Sequence, residues 1–402
     1  MAKSVAIVHP WMPQYRIKFF TSLREELAAR DIELYVYFGD TPPEWAQRND
    51  SAICDSAIRL PTRFYPVGGR NLSYKEIRLL TRQGEVDLLI LEQAIRNLET
   101  YRLIFSRRLY RKLAFWGHGR TYTVRKSLFE EWLKYRLTAR ADWFFAYTTG
   151  GADAVAKRGF PVGNTTVVQN SIDAVELRRS LAETTEEDSA WFRDKYDLTS
   201  NTFIYIGGVD DSKRITFLLD VAKDVHACDR SFRLIVVGDG PQARAVTELS
   251  RREPWLVYLG GLFGADKARA LTSASAILNP GRVGLIAVDS LVAGRPIITT
   301  EWPHHAPEFE YLRHGETAIV TPDEKMVYRD AILNVMSDPS VIVGLSRNCL
   351  AESAKYDARV MAARFADGVE EAIETERPRD GVVRKMRRWL LRCDRRRKSG
   401  VA

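Results

Sequence analysis

Short apolar runs alternate along this chain with longer stretches in which apolar residues return every third or fourth position. The first pattern marks buried strands and the second marks amphipathic helices. Strands are expected at Val5 to Val8, Glu33 to Tyr37, Asp87 to Leu91, Leu113 to Trp116, Trp143 to Tyr147 and Thr165 to Val168. The second half repeats the pattern from Phe203, through Leu234, Trp255 to Leu259 and Ala276 to Leu278, to Ile297 to Thr300. Helical spacing covers Arg16 to Ala29, Met326 to Met336, Val341 to Ala354 and Val360 to Thr375. Such alternation predicts parallel sheets and an α/β fold. A chain of 402 residues, 45% of them hydrophobic, has the material for two cores.

The chemistry concentrates in the second half. Leu278 to Thr300, LNPGRVGLIAVDSLVAGRPIITT, reads as strand, glycine turn, helix, strand. Gly281 and Gly284 let the backbone turn tightly before a helix that begins near Leu285, and no side chain blocks its free N–H groups. Those amides and the helix dipole favour a phosphate, and Asp289 lies about one turn further in, placed to meet what the phosphate carries. Phe203 to Leu219 has the same form: a strand, a Gly207-Gly208 turn, and a helix opening after Lys213. The plainer alternatives are an ordinary strand–loop–helix for the first segment and a solvated helix start for the second. Between them, LIVVGDGPQA carries a G-x-G turn, but the next strand ends in Gly260 and Gly261 with no acid, which disfavours a dinucleotide.

These motifs resemble the nucleotide-sugar motif of the retaining glycosyltransferases of family 4, whose GT-B fold sets two Rossmann-like domains face to face across a cleft. That family carries two glutamates separated by seven residues; Asp289 matches the second, and Gly281 stands in place of the first. It also carries G-R-L-x-x-x-K-G, in which Lys213 matches the lysine, Gly208 replaces the arginine and Arg214 replaces the final glycine. The resemblance implies Lys213, Arg214 and Arg282 on the donor diphosphate, with the amides of Gly284 and Leu285 on the same group. It implies Asp289 on the ribose, and Gly207, Gly208, Gly261 and Leu262 around the nucleotide. Fixed cations there would stabilise a departing nucleoside diphosphate.

His118, in WGHGR, matches a histidine that relatives place beside the donor sugar, and is the catalytic candidate; a structural loop residue is the alternative. HPWMPQYRIKFF resembles the P-x-Y-R-x-x-F-F start of some members, which makes Tyr15 and Arg16 acceptor-side candidates, although a helix-start packing role is open. Gln93 and Arg96 follow the strand DLLILE on the same side. Glu308, in PEFEYLRHG, stands where relatives keep an acid near the donor loop. The resemblance implies neither a cofactor nor a metal.

The expected division is an acceptor domain over 1–172, a linker over 173–190 that includes the polar stretch Ala182 to Ser189, and a nucleotide-sugar domain over 191–355. A helix over 356–378 is expected to cross back to the first domain, followed by a basic tail over 379–402. That tail holds ten Lys or Arg against Asp380 and Asp394, and the rest of the chain balances. Val382, Val383, Met386, Trp389 and Leu390 recur in it at helical spacing, which suits an anionic membrane surface; an unstructured basic end is the duller reading. No nucleic-acid-binding module accompanies it, so no nucleic acid partner is expected. Arg102 to Arg136 is a second basic, aromatic-rich stretch, fit for lipid headgroups, an anionic acceptor, or plain solvent.

Four scattered cysteines give neither zinc spacing nor a disulfide framework, and no apolar run reaches the roughly 18 residues that would suggest a membrane span. A cytoplasmic protein, peripheral at the inner face of the membrane, is expected. Its expected activity is transfer of a sugar from a nucleoside-diphosphate sugar to a hydroxyl of a glycan or lipid-linked acceptor in cell-envelope or exopolysaccharide biosynthesis. The rivals are a nucleotide-sugar-binding homologue without transfer activity and a GT-B nucleotide-sugar epimerase.

Overall fold

The computed structural model describes residues 3–376 except 44–51, 53, 55, 69, 83, 107 and 123–126. The tail over 379–402 therefore lies outside the described residues, as do Arg107, Arg125 and Lys126 of the second basic stretch. The first half builds β1 (Lys3–His9), β2 (Ile32–Phe38), β3 (Ile58–Arg59), β4 (Thr62–Val67), β5 (Arg70–Lys75), β6 (Val86–Glu92), β7 (Tyr110–Gly117), β8 (Trp143–Ala146) and β9 (Thr165–Val167). Seven of these form a parallel sheet in the order β3-β2-β1-β6-β7-β8-β9, while β4 and β5 pair as an antiparallel hairpin. The second half builds β10 (Thr202–Ile206), β11 (Arg233–Val237), β12 (Leu256–Gly260), β13 (Ala276–Leu278), β14 (Ile297–Thr300) and β15 (Ala318–Thr321), parallel throughout.

The second sheet runs β12-β11-β10-β13-β14-β15, the doubly wound order of a nucleotide-binding fold. Helices cover both faces of each sheet, which is why the strands read as continuous apolar runs: Val5 to Val8 are at most 4% exposed, and Phe203 to Tyr205 at most 1%. The expected fold, two Rossmann-like domains with parallel sheets, is what the chain adopts. In such sheets the strand order reverses between β1 and β6 and between β10 and β13, and ligands bind beyond the carboxyl ends there.

Two sequence readings need correction. Ala182 to Ser189 is not a loop, because helices Ala174–Glu183 and Glu186–Lys195 occupy the stretch. Asp173 caps the first, and a reciprocal Thr185–Asp188 capping box opens the second; Ala174, Leu177 and Phe192 bury their apolar sides in the second core. The T-x-x-D signature was visible, but the acidic composition masked it. The β4–β5 hairpin was not anticipated either: its residues are half exposed and Pro66 interrupts the pattern, although the Gly68-Gly69 pair between them is a hairpin signal.

The last helix, Ala358–Glu374, returns to the first domain and buries Met361, Phe365 and Val369 in its core. Phe365 stacks on Phe145 with ring centroids 4.2 Å apart and packs edge-on against Phe19 and Trp116. Gly368 permits the close approach to β9, since a Cβ there would lie 2.2 Å from Thr166 Oγ1. Phe365→Ala is expected to destabilise the first domain by about 3–5 kcal/mol in chemical denaturation; an unchanged midpoint would contradict this packing.

Candidate functional site

β10 and β13 are neighbours, so the loops that follow them meet at the switch point. Gly281 lies directly on the backbone of Lys213, and a Cβ at 281 would come within 2.4 Å of the Lys213 carbonyl. The Arg282 N–H donates to the Ser212 carbonyl at 3.0 Å, and Lys213 Nζ donates to the Arg282 carbonyl, which closes the contact from both sides. The position where the family's first acid belongs thus has no room for a side chain. Beyond the turn, the N–H groups of Gly284 and Leu285 have no acceptor among the described residues, at the tip of helix Ile286–Ala293.

Asp289 is 7% exposed in the first turn of that helix, and its Oδ1 accepts from Lys267 Nζ at 2.7 Å. Sequence reasoning missed Lys267; the signal was a lysine in the first turn of the helix that follows Gly261 and Leu262, at Gly264–Thr272. Leu262 packs on the same apolar cluster as Leu285 and Ile206, which brings the edge loop to the site. Gly207 and Gly208 begin the β10 loop, with the Tyr205 hydroxyl donating to the Gly208 carbonyl at 2.6 Å. The G-x-G glycines shape this loop, since a Cβ at Gly238 would lie 1.8 Å from the Gly207 carbonyl oxygen.

Arg214 departs from its expected role. It adopts the left-handed conformation (φ +56°) at the position where the family has glycine, at a cost of about 1 kcal/mol. Its guanidinium pairs with Asp323 and lies 4.2 Å from the Phe217 ring centroid, so its charge is already matched. His305, also missed, accepts the Val283 N–H at Nδ1 (3.1 Å), while Nε2 lies 2.8 Å from the Thr300 carbonyl. Burial drives its pKa down to about 4 against that carbonyl bond, with Lys213 and Arg282 adding to the depression; the ring is neutral and pins the glycine turn.

On the first domain, His118 follows β7 between two constrained glycines: a Cβ at Gly117 would meet Gln93, and one at Gly119 (φ +70°) would meet the Gly151 backbone. Gln93, expected to face an acceptor, instead holds this loop. Its Oε1 accepts from the Gly119 N–H at 3.0 Å, and its Nε2 donates to Thr138 Oγ1 at 2.8 Å. Arg16 is likewise withdrawn from the cleft, being 2% exposed, ringed by Tyr15, Trp116 and Tyr147, and bonded to Asn170 Oδ1 at 2.6 Å. Tyr15 is 39% exposed. The His118 ring opens into the cleft beside Tyr147 (4.5 Å) and Tyr122 (5.9 Å), without a hydrogen-bond partner among the described residues. Desolvation by the cleft walls, then the positive charges of Lys134, Arg282 and Arg16, lower its pKa, so the ring is neutral and able to accept a hydrogen bond.

The two domains meet through polar contacts. Arg282 Nη1 donates to the Tyr122 carbonyl of the first domain at 2.8 Å and lies 3.2 Å from the His304 carbonyl. Glu308, 4% exposed, accepts from Asn170 Nδ2, and Glu310 Oε2 accepts the Gly150 N–H at 2.8 Å. Beyond the ends of β1, β6 and β7 lies a cavity of about 330 Å³, whose walls include His118, Glu92, Arg96 and Lys134. Burial raises the pKa of Glu92 and lowers that of Lys134. The Arg96 guanidinium lines the cavity with no partner among the described residues. No group of three His, Cys, Asp or Glu side chains suited to a metal occurs among the described residues.

Residues 200–338, in the second domain, match the family model described as Glycosyl transferases group 1. The chain is similar, with 24% identity over 182 residues, to a phosphatidyl-myo-inositol mannosyltransferase of Mycobacterium leprae. That match takes in 42% of this chain and 46% of the relative, so the chain spans less than half of the curated relative's length. In structure it is similar to Anabaena HepE in complex with UDP and glucose (TM-score 0.66, 16% identity, 92% of this chain and 100% of the other). It is also similar to the pneumococcal O-GlcNAc transferase GtfA in complex with UDP and GlcNAc (TM-score 0.64, 10% identity, 93% and 100%). At these identities the likeness establishes the GT-B fold.

The contact at Gly281 has a direct consequence. Gly281→Ala is expected to destabilise the chain by about 1–3 kcal/mol, read as a lowered thermal unfolding midpoint, and Gly281→Glu by no less. A midpoint unchanged in Gly281→Ala would contradict the close approach.

Proposed function

We propose that this chain is a glycosyltransferase that moves a sugar, with retention, from a nucleoside-diphosphate sugar held by the second domain to a hydroxyl of a glycan or lipid-linked acceptor entering from the first. One observation carries the reading: Arg282, from the glycine turn after β13, bonds the carbonyl of Tyr122, whose ring lies 5.9 Å from that of His118. The anion-binding turn and the unpartnered histidine therefore share one cleft, although they come from different domains. The group 1 match over the donor side and the UDP complexes among the structural neighbours support a UDP-sugar donor.

Each group has a role in this reading. As the glycosidic bond to the diphosphate breaks, negative charge builds on the leaving oxygen, and the preoriented amides of Gly284 and Leu285 meet it without reorganisation. Lys213, fixed by the Arg282 carbonyl, adds positive charge. Asp289, oriented by Lys267, presents its second carboxylate oxygen to the ribose hydroxyls. Neutral His118 accepts a hydrogen bond from a sugar hydroxyl and so orients the ring being transferred. The product belongs, on this reading, to cell-envelope or exopolysaccharide biosynthesis.

A second reading is favoured by one feature, the closure over Gly281 together with the missing side chain at Gly208: a homologue that binds the nucleotide sugar without transferring it. A thermal-shift series with UDP, GDP and ADP, followed by donor-hydrolysis assays, separates the cases. UDP at about a hundred times its Kd is expected to stabilise the fold by roughly 2.7 kcal/mol, an effect much reduced in Lys213→Ala. A shift without turnover of any UDP-sugar would favour the binding-only homologue; no shift with any nucleotide would overturn both.

A further inference from the structure

Helix Leu128–Thr138 carries two opposed faces. At about 100° per residue, Leu128, Phe129, Trp132 and Arg136 fall within one quadrant or so, and Glu130, Lys134 and Thr138 lie opposite. The second set holds the helix to the domain: Glu130 pairs with Arg70 at 2.9 Å, Thr138 accepts from Gln93, and Lys134 lines the first-domain cavity. The first set packs on little. Leu128 is 89% exposed, Phe129 67% and Trp132 53%, with the two rings stacked 5.8 Å apart and the Arg136 guanidinium 5.6 Å from the Trp132 ring centroid. Beside them an open groove of about 440 Å³ is lined by Arg120, Lys157, Arg158, Trp132 and Tyr135, with Glu131 as the one acid among the described lining residues.

We infer that this face docks on an anionic lipid bilayer, with Leu128, Phe129 and Trp132 entering the boundary between headgroups and acyl chains and the groove taking phosphate-bearing headgroups. Exposed aromatic and aliphatic side chains rimmed by cations suit that interface, where an amphipathic tryptophan and charge attraction act together. A second copy of the chain fits less well, since a two-fold contact would set Arg120, Arg136, Lys157 and Arg158 against their own equivalents. The opposite face of the same helix walls the first-domain cavity, so docking brings that cavity to the membrane and favours a lipid-linked acceptor. That last step rests on the proposed transferase activity; docking itself does not.

Sedimentation of the full chain with vesicles tests the inference, with the triple variant Leu128→Ser/Phe129→Ser/Trp132→Ser as comparison. The wild-type chain is expected to partition onto vesicles of phosphatidylglycerol and phosphatidylcholine but not onto phosphatidylcholine alone, and the triple variant to lose about ten-fold or more of that partitioning. Equal partitioning of the two chains would assign binding to another region, such as the basic tail, and overturn the inference. So would absence of partitioning, or a concentration-dependent dimer that the triple variant abolishes with vesicle binding unchanged. UDP stabilisation measured on the same preparations reports the donor lobe separately, so its persistence alongside a vesicle failure would overturn the docking face alone.

Discussion

The second domain depends on the contact between the bare Cα of Gly281 and the backbone of Lys213. Loops from adjacent strands touch there without an intervening side chain, and the Arg282 amide and the Lys213 ammonium each close a hydrogen bond onto the opposing loop. The contact sets where Lys213 stands and which amides have no acceptor among the described residues. A glycine at 281 therefore permits a turn closed on both sides by hydrogen bonds, with Lys213 held against it. Arg214, next to that contact, takes a left-handed backbone and gives its charge to Asp323.

The cleft between the domains is held by charge and polarity more than by apolar contact. Glu308 is buried, and a buried carboxylate is tolerated only when it is hydrogen-bonded. Asn170 supplies that bond, and Asn170 is in turn held by the buried guanidinium of Arg16, so a chain of three polar groups runs from the first domain's opening helix to the segment after β14. Glu310 adds a second link at the Gly150 amide, and Arg282 a third at the Tyr122 carbonyl. His118 faces this assembly with both flanking glycines fixed by close backbone or Gln93 contacts, so its place in the cleft is set by packing and not by a bond to its ring.

Most of the fold was legible because parallel strands buried on both faces leave unbroken apolar runs, as at Val5 to Val8 and Phe203 to Ile206. The glycine turns were legible for a related reason, since Gly281 and Gly284 sit where only a bare backbone serves. What stayed hidden depended on partners distant in the chain. Nothing local marks Arg16 as buried, because its burial is completed by Asn170 and Met361; nothing local ties Lys267 to Asp289 or His305 to Val283. Gln93 was placed on the correct side of the sheet, but the spacing of residues carries no information on whether an amide faces a ligand or its own loop. The β4–β5 hairpin escaped because it is exposed and lacks alternation, yet its Arg70, Asn71 and Ser73 help wall the first-domain cavity.

On the proposed function, the preformed turn, the Gly284 and Leu285 amides and the anchored Lys213 receive the diphosphate of a nucleotide sugar. A crystal structure of the chain grown with saturating UDP tests it most directly. The β-phosphate is expected within hydrogen-bond distance of the Gly284 and Leu285 N–H groups and of Lys213 Nζ, with the ribose beside Asp289. A nucleotide bound elsewhere, or a cleft that remains empty under those conditions, would contradict it.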